Sequence, residues 1–249
     1  MTEDLGLGEQ ALSKAAEIGL ESQLDEAESL SVDVRVDPLS LMKGEVESVT
    51  VEGEGLVMQQ ELRTQELTVQ TGSIKVNPWK AALGEIELER PTQSAVRMVL
   101  SEADIDRAFN SHFVHNQIPH IEVEQNGQSV AVTAREISFR LPGNGRIAVH
   151  ADLKHLDAET TKQIAFEATP DIAENGYRLH LKDVKYVSGE EISPKLTALI
   201  LEQVSDVLDL RNFEVPSMNL RLTDLEVLAG KLILSSVAEI RAFPGNLEG

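Results

Sequence analysis

The 249-residue chain reads as an α+β protein built on a large, mostly antiparallel sheet. Three observations predict that class. Apolar and polar residues alternate over most of the length, turn signals separate the alternating runs, and only three segments carry helical periodicity. Roughly a dozen strands are expected against those three helices.

Taken in order, Leu12, Ala16, Leu20 and Leu24 recur every fourth residue and Ala27 closes the stripe, predicting a helix over about 8–28. A sheet-rich body is expected from about 30 to 241, followed by a short tail at 242–249, all within one domain spanning 1–249. Val32, Val34 and Val36 interleave with Asp33, Arg35 and Asp37, and Ile86 and Leu88 with Glu85, Glu87 and Glu89. Ile121 and Val123 alternate with Glu122 and Glu124, and Tyr177, Leu179 and Leu181 with Arg178, His180 and Lys182. Such runs describe strands with one wet and one buried face. Asn126-Gly127, Pro142-Gly143-Asn144-Gly145 and Asn175-Gly176 supply the hairpin turns. Ser101 opens a second helix, with Asp104 three residues on, and the helix runs through Ile105, Ala108 and Phe109 toward His112. The third has Ser193 as N-cap and Pro194 at the first helical position, then Leu196, Leu199, Ile200, Val204, Val207 and Leu208 on one face, to about Leu210.

An internal repeat stands out. Residues 34–47, VRVDPLSLMKGEVE, match residues 74–87, IKVNPWKAALGEIE, and more weakly 220–234, LRLTDLEVLAGKLIL. Each predicts a strand, a short helix and a new strand. Asp37, Asn77 or Thr223 caps the turn, Pro38 and Pro78 start it, and Thr223 with Glu226 forms a capping box. Gly44, Gly84 and Gly230 then close the turns in the left-handed conformation.

Composition narrows the chemistry. With 22 Lys+Arg against 42 Asp+Glu the net charge is −20, and nucleic acid, which needs clustered cations, is excluded as a partner. The charge is uneven: residues 1–61 hold 15 carboxylates against Lys14, Arg35 and Lys43. No cysteine means no disulfide, thiolate metal site or cysteine nucleophile. The acidic start MTEDLGLGEQ and the lack of a long apolar run point to a cytoplasmic protein. His112, His115 and His120 form a loose cluster without the further ligands a metal needs, and read as a wet loop. Gly53 and Gly55 sit among carboxylates that repel phosphate, and read as a strand bulge. No nucleophile elbow, P-loop or dinucleotide fingerprint occurs, so neither an enzyme nor a cofactor is expected.

The runs SLSVDVRVDPLSLMKGEVESVTVEGEGLVMQQELR and IKVNPWKAALGEIELERPTQSAVRMVLSEADIDRAFNS resemble the bacterial LmeA-like family, abundant in cyanobacteria, over Leu20 to Phe109 and more loosely to Arg241. The resemblance implies phospholipid binding and a fold similar to tubular lipid-binding domains: a strongly curved, mostly antiparallel sheet wrapped around long amphipathic helices. It supplies no catalytic residues. Candidates for lining a lipid cavity are Val34, Val36, Val49, Val51, Leu67, Val69, Ile74, Val76, Ile86 and Leu88 from the strands. Leu196, Leu199, Ile200, Val204 and Leu208 would face them from the third helix. Trp79 heads the second short helix, where its ring is either core or an interfacial anchor at the cavity rim. Plain core packing accounts for each position as well as lipid contact does. The expected function is phospholipid binding or lipid transfer on the cytoplasmic side of a membrane, with weak, peripheral bilayer contact through an apolar rim. The alternative is a non-enzymatic assembly factor that engages a protein partner through its acidic surface.

Overall fold

A computed structural model describes residues 6–58, 61–76, 88–112, 121–125, 128–155, 161–188 and 218–241. The elements, in chain order, are α1 (Leu7–Glu21), β1 (Ser29–Arg35), α2 (Pro38–Leu41), β2 (Glu45–Val46), β3 (Ser48–Met58), β4 (Leu62–Thr71), β5 (Ile74–Lys75), β6 (Thr92–Ser101) and α3 (Glu102–Phe109). Then come β7 (Ile121–Gln125), β8 (Gln128–Gly143), β9 (Arg146–His155), β10 (Thr161–Ile172), β11 (Leu179–Ser188), β12 (Met218–Leu228) and β13 (Lys231–Ile240). Every described strand pairing is antiparallel. A six-stranded sheet has the order β1-β3-β4-β6-β13-β12, a five-stranded sheet the order β11-β10-β9-β8-β7, and β2 with β5 makes a small ribbon.

Local signals decide the short elements. Asp37 accepts from Leu39 N at 3.1 Å and Ser40 N at 2.9 Å, Pro38 fixes the first residue of α2, and Gly44 closes the unit at φ 75. Ser101 and Asp104 form a reciprocal capping box on α3, with bonds of 3.1 and 2.8 Å. The hairpin at Gly143–Gly145 turns through three positive φ values, 88, 55 and 73.

Other expectations are corrected. Among the described residues there are no long helices enclosed by a wrapped sheet: the sheet curves as a half-barrel, but the described helices have 15, 4 and 8 residues. α1 stops at Glu21, short of residue 28, and the side chains in its stripe are poorly covered, with Leu12 37% exposed. It presents too narrow an apolar face to sit inside a sheet. The third repeat copy forms no helix, because Thr223 and Glu226 lie inside β12, whose pairing with β13 shifts register between Leu222 and Asp224. Gly230 nevertheless has φ 74, as the turn of that hairpin. Gly55 has φ 59, but the β3–β4 register keeps step from Glu54↔Glu66 to Leu56↔Thr64, so no bulge forms there. Trp79, Gly84, Ile86, His115, His120 and the segment Ser193–Leu210 lie outside the described residues.

α1 and α3 instead close strand edges. On α3, Glu102, Asp106 and Asn110 accept from the backbone N–H groups of Leu141, Phe139 and Ile137 on β8. Along α1, Glu9 and Ser13 do the same for Val36 and Val34 at β1, at 3.0 and 2.9 Å. A four-residue helical step rises about 6 Å and a two-residue strand step about 6.7 Å, so acceptors spaced by four meet donors spaced by two. Each edge thereby loses the donors that would recruit another strand.

The main core lies between the five-stranded sheet and α3. Phe139, Val149, Phe166 and Leu153 pack with Ile105 of α3 and Val227 of β12, and the Phe109 and Phe139 rings sit 4.5 Å apart. Hairpin tips join the two sheets here, with Gly230 N donating to Leu141 O at 2.8 Å and a bridge between Pro142 and Ala229.

Candidate functional site

One face of the six-stranded sheet is apolar across all six strands. Its middle row, read from register, is Val32, Val51, Val69, Val96, Ser236 and Leu222. The next row is Leu30, Gly53, Leu67, Met98, Leu234 and Leu225. The alternate residues carry the opposite face, which is mixed: Asp33, Glu52, Glu66 and Arg97 belong to it, with Arg97 paired to Glu66 at 3.4 Å, and so do Val99, Ile233 and Val237. Period two thus sorts the side chains onto one face free of charge and one that holds the charges.

Coverage of the apolar face is partial. Val32 and Val34 on β1 are buried, but Val49, Val51, Leu67, Val69, Val96, Met98 and Leu234 keep part of their surface accessible. The two ends differ. Toward α3, Leu56 folds over Gly53, where an added Cβ would come within 2.6 Å of its side chain, and Leu56 is buried. Toward α2 and the β2–β5 ribbon, hydroxyls replace aliphatics: Thr71 pairs with Ser94, and Thr92 and Ser236 lie nearby on β6 and β13. All four are buried, Thr71 accepts from Val49 N at 2.9 Å, and Ser94 Oγ has no hydrogen-bond partner in the structure.

Of the residues expected from sequence, Val34, Val49, Val51, Leu67 and Val69 share this face. Val36 continues β1 beyond its last paired residue, with its N–H bonded to Glu9. Ile74, Val76 and Leu88 gather separately at the ribbon, where Ile74 is buried and Val76 bridges Leu88. Sequence reasoning passed over Val96, Met98, Leu234 and Leu225; only Leu225 has polar neighbours on both sides, Asp224 and Glu226, whereas Ala95, Val99 and Ile233 blur the alternation at the others.

Electrostatics concentrate away from this face. Arg63 bonds Asp104 at 2.8 Å and Glu28 at 2.6 Å, and both carboxylates raise its pKa further. Backbone N–H groups of Val36 and Gly6 hold the Glu9 carboxyl below its ordinary range. Among the described residues no cluster of three His, Asp or Glu side chains could hold a metal ion, and His112 instead faces Glu61 at 3.4 Å. No described helix is long and apolar enough to cross a membrane.

No curated protein matches the chain in sequence. Residues 4–236, nearly the whole chain, match one family, described as LmeA-like phospholipid-binding. The half-covered aliphatic face is the kind of surface that description calls for. The chain belongs to the LmeA-like phospholipid-binding family.

Proposed function

We propose that the apolar face of the six-stranded sheet holds the acyl chains of a phospholipid, and that the protein carries lipid to and from a membrane. Family membership supports phospholipid binding, a non-catalytic role. The observation that carries the assignment to this face is the run of aligned aliphatic rows, uninterrupted by charge and only partly covered. Each methylene transferred from water to such a surface is favourable by about 0.8 kcal/mol, so two chains outweigh the cost of ordering the ligand. At the α2 end the face passes into the buried hydroxyls of Thr71, Ser94 and Thr92, which bound it on that side. Acyl chains would then run from that end toward Leu67 and Met98.

Mass spectrometry of an organic extract of the purified protein tests the ligand, and uptake of a fluorescent phospholipid tests the place. Val69→Trp fills the middle row and should abolish uptake while the protein stays folded. A folded Val69→Trp protein that takes up lipid normally would move the site elsewhere. Wild-type protein free of extractable lipid and inert toward the probe would refute the reading.

A further inference from the structure

Leu39 and Met42 are 71% and 81% exposed, against 57% for Ile18, the next among the side chains whose exposure is described. They stand three positions apart on and just after α2, so they share a side of one turn. That turn is held from both ends. Asp37 caps it, and Lys43 N donates back to Ser40 O at 2.9 Å. Gly44 O accepts from Val76 N at 2.8 Å, which ties the turn to the β2–β5 ribbon. A rigid, capped turn that presents two large apolar groups to water invites an apolar partner.

Position and charge identify the partner. α2 lies at the hydroxyl end of the apolar face, opposite the end that Leu56 and α3 flank. The cations on the strands and ribbon that flank α2 are largely spent: Arg35 pairs with Asp33 at 3.1 Å and Lys75 with Glu89 at 3.2 Å, which leaves Lys43 beside Glu45 and Glu47. With net charge −20, the molecule is repelled by an anionic surface. We propose that α2 is a docking prong that inserts Leu39 and Met42 into a zwitterionic lipid bilayer and holds the apolar face beside it. This rests on the reading that the face holds lipid, but docking can be measured without it.

The chain has no cysteine, so M42C accepts a single environment-sensitive fluorophore, and K185C on the exposed part of β11 provides the control. Phosphatidylcholine vesicles should blue-shift the emission of the label at M42C and leave that at K185C unchanged. An unshifted M42C label, or equal shifts at both sites, overturns the proposal. In a second assay, Leu39→Ser with Met42→Ser should slow phospholipid transfer between phosphatidylcholine vesicles at least about tenfold, since burial of both side chains is lost. Lipid loaded beforehand from detergent should stay bound to that variant. Transfer at the wild-type rate also overturns docking, and leaves the lipid site standing. Wild-type protein that holds no lipid, yet shows the M42C shift, supports docking and removes the site.

Discussion

On the five-stranded sheet, Phe139, Val149 and Phe166 form one register row and are 6%, 6% and 4% exposed. On the six-stranded sheet the row Val51, Val69 and Val96 is built the same way but stays half-covered. The first row meets Ile105 and Phe109 of α3 and residues such as Val227 and Leu232 from the neighbouring sheet. Its aromatic rings need a fixed, complementary surround. The second row is β-branched and aliphatic, with stiff side chains that make a smooth surface for a flexible partner. Equal periodicity therefore supports two different outcomes, a solid core and a receptive face, and the elements packed above each decide which.

Truncation separates the two most strongly. Phe166→Ala should cost about 3–5 kcal/mol in urea unfolding, as a large side chain leaving a cavity, whereas Val69→Ala should cost about 1 kcal/mol. Equal costs would mean that the six-stranded face is itself a filled core. The edge helices sharpen the contrast at the next level. Asn110→Ala removes bonds to Ile137 N at 3.0 Å and Ile137 O at 2.6 Å, at the seam with the main core. It should cost about 2 kcal/mol, against about 1 kcal/mol for Ser13→Ala, which frees Val34 N on the outer edge. Thermal melts of the two variants would reverse that order if α1, not α3, anchors the fold.

Backbone strain gives a smaller effect. Gly44→Ala and Gly230→Ala should each lose about 1 kcal/mol because both positions hold positive φ, at 75 and 74. Gly72, without that conformation, should accept Ala at little cost. The smallest expected effect is electrostatic. Glu9 is held below its ordinary value of 4.5 by the Val36 and Gly6 N–H groups. Its contribution is complete above that ordinary value and disappears as the pH falls through the lowered one. The protection of the Val36 amide against hydrogen exchange should therefore fall in acid, and Glu9→Gln should flatten the dependence. Unchanged protection would show that α1 is held by packing alone.

Sequence reached furthest where the physics is local. Asp37 with Pro38, and Ser101 with Asp104, are readable because cap and helix lie within three residues. The same logic misreads Thr223 and Glu226, where ladder bonds to β13 outweigh a local capping box. Alternation placed Val34, Val49, Val51, Leu67 and Val69 on one face, since period two suffices for that. How fully the face is covered depends on elements distant in sequence, which periodicity does not contain. Glu9, Asp106 and Asn110 are the least legible, because acceptors every fourth residue look like an ordinary wet helical face until a strand edge lies beside them.

That arrangement of helix against strand behaves as a vernier. Two scales of about 6 and 6.7 Å slip by roughly 0.7 Å at each division, so a third step would leave donor and acceptor about 2 Å out of coincidence. Hydrogen bonds tolerate only about 0.5 Å of spread. α3 makes three rungs, Glu102, Asp106 and Asn110, only two steps long, a slip of about 1.4 Å shared between its ends, and α1 makes two rungs before Glu17 turns to Lys14. Any helix laid along a strand in this way is limited to about three rungs, however long either element grows. Such a closure shields an edge without fusing to it, and its strength is set by counting rungs.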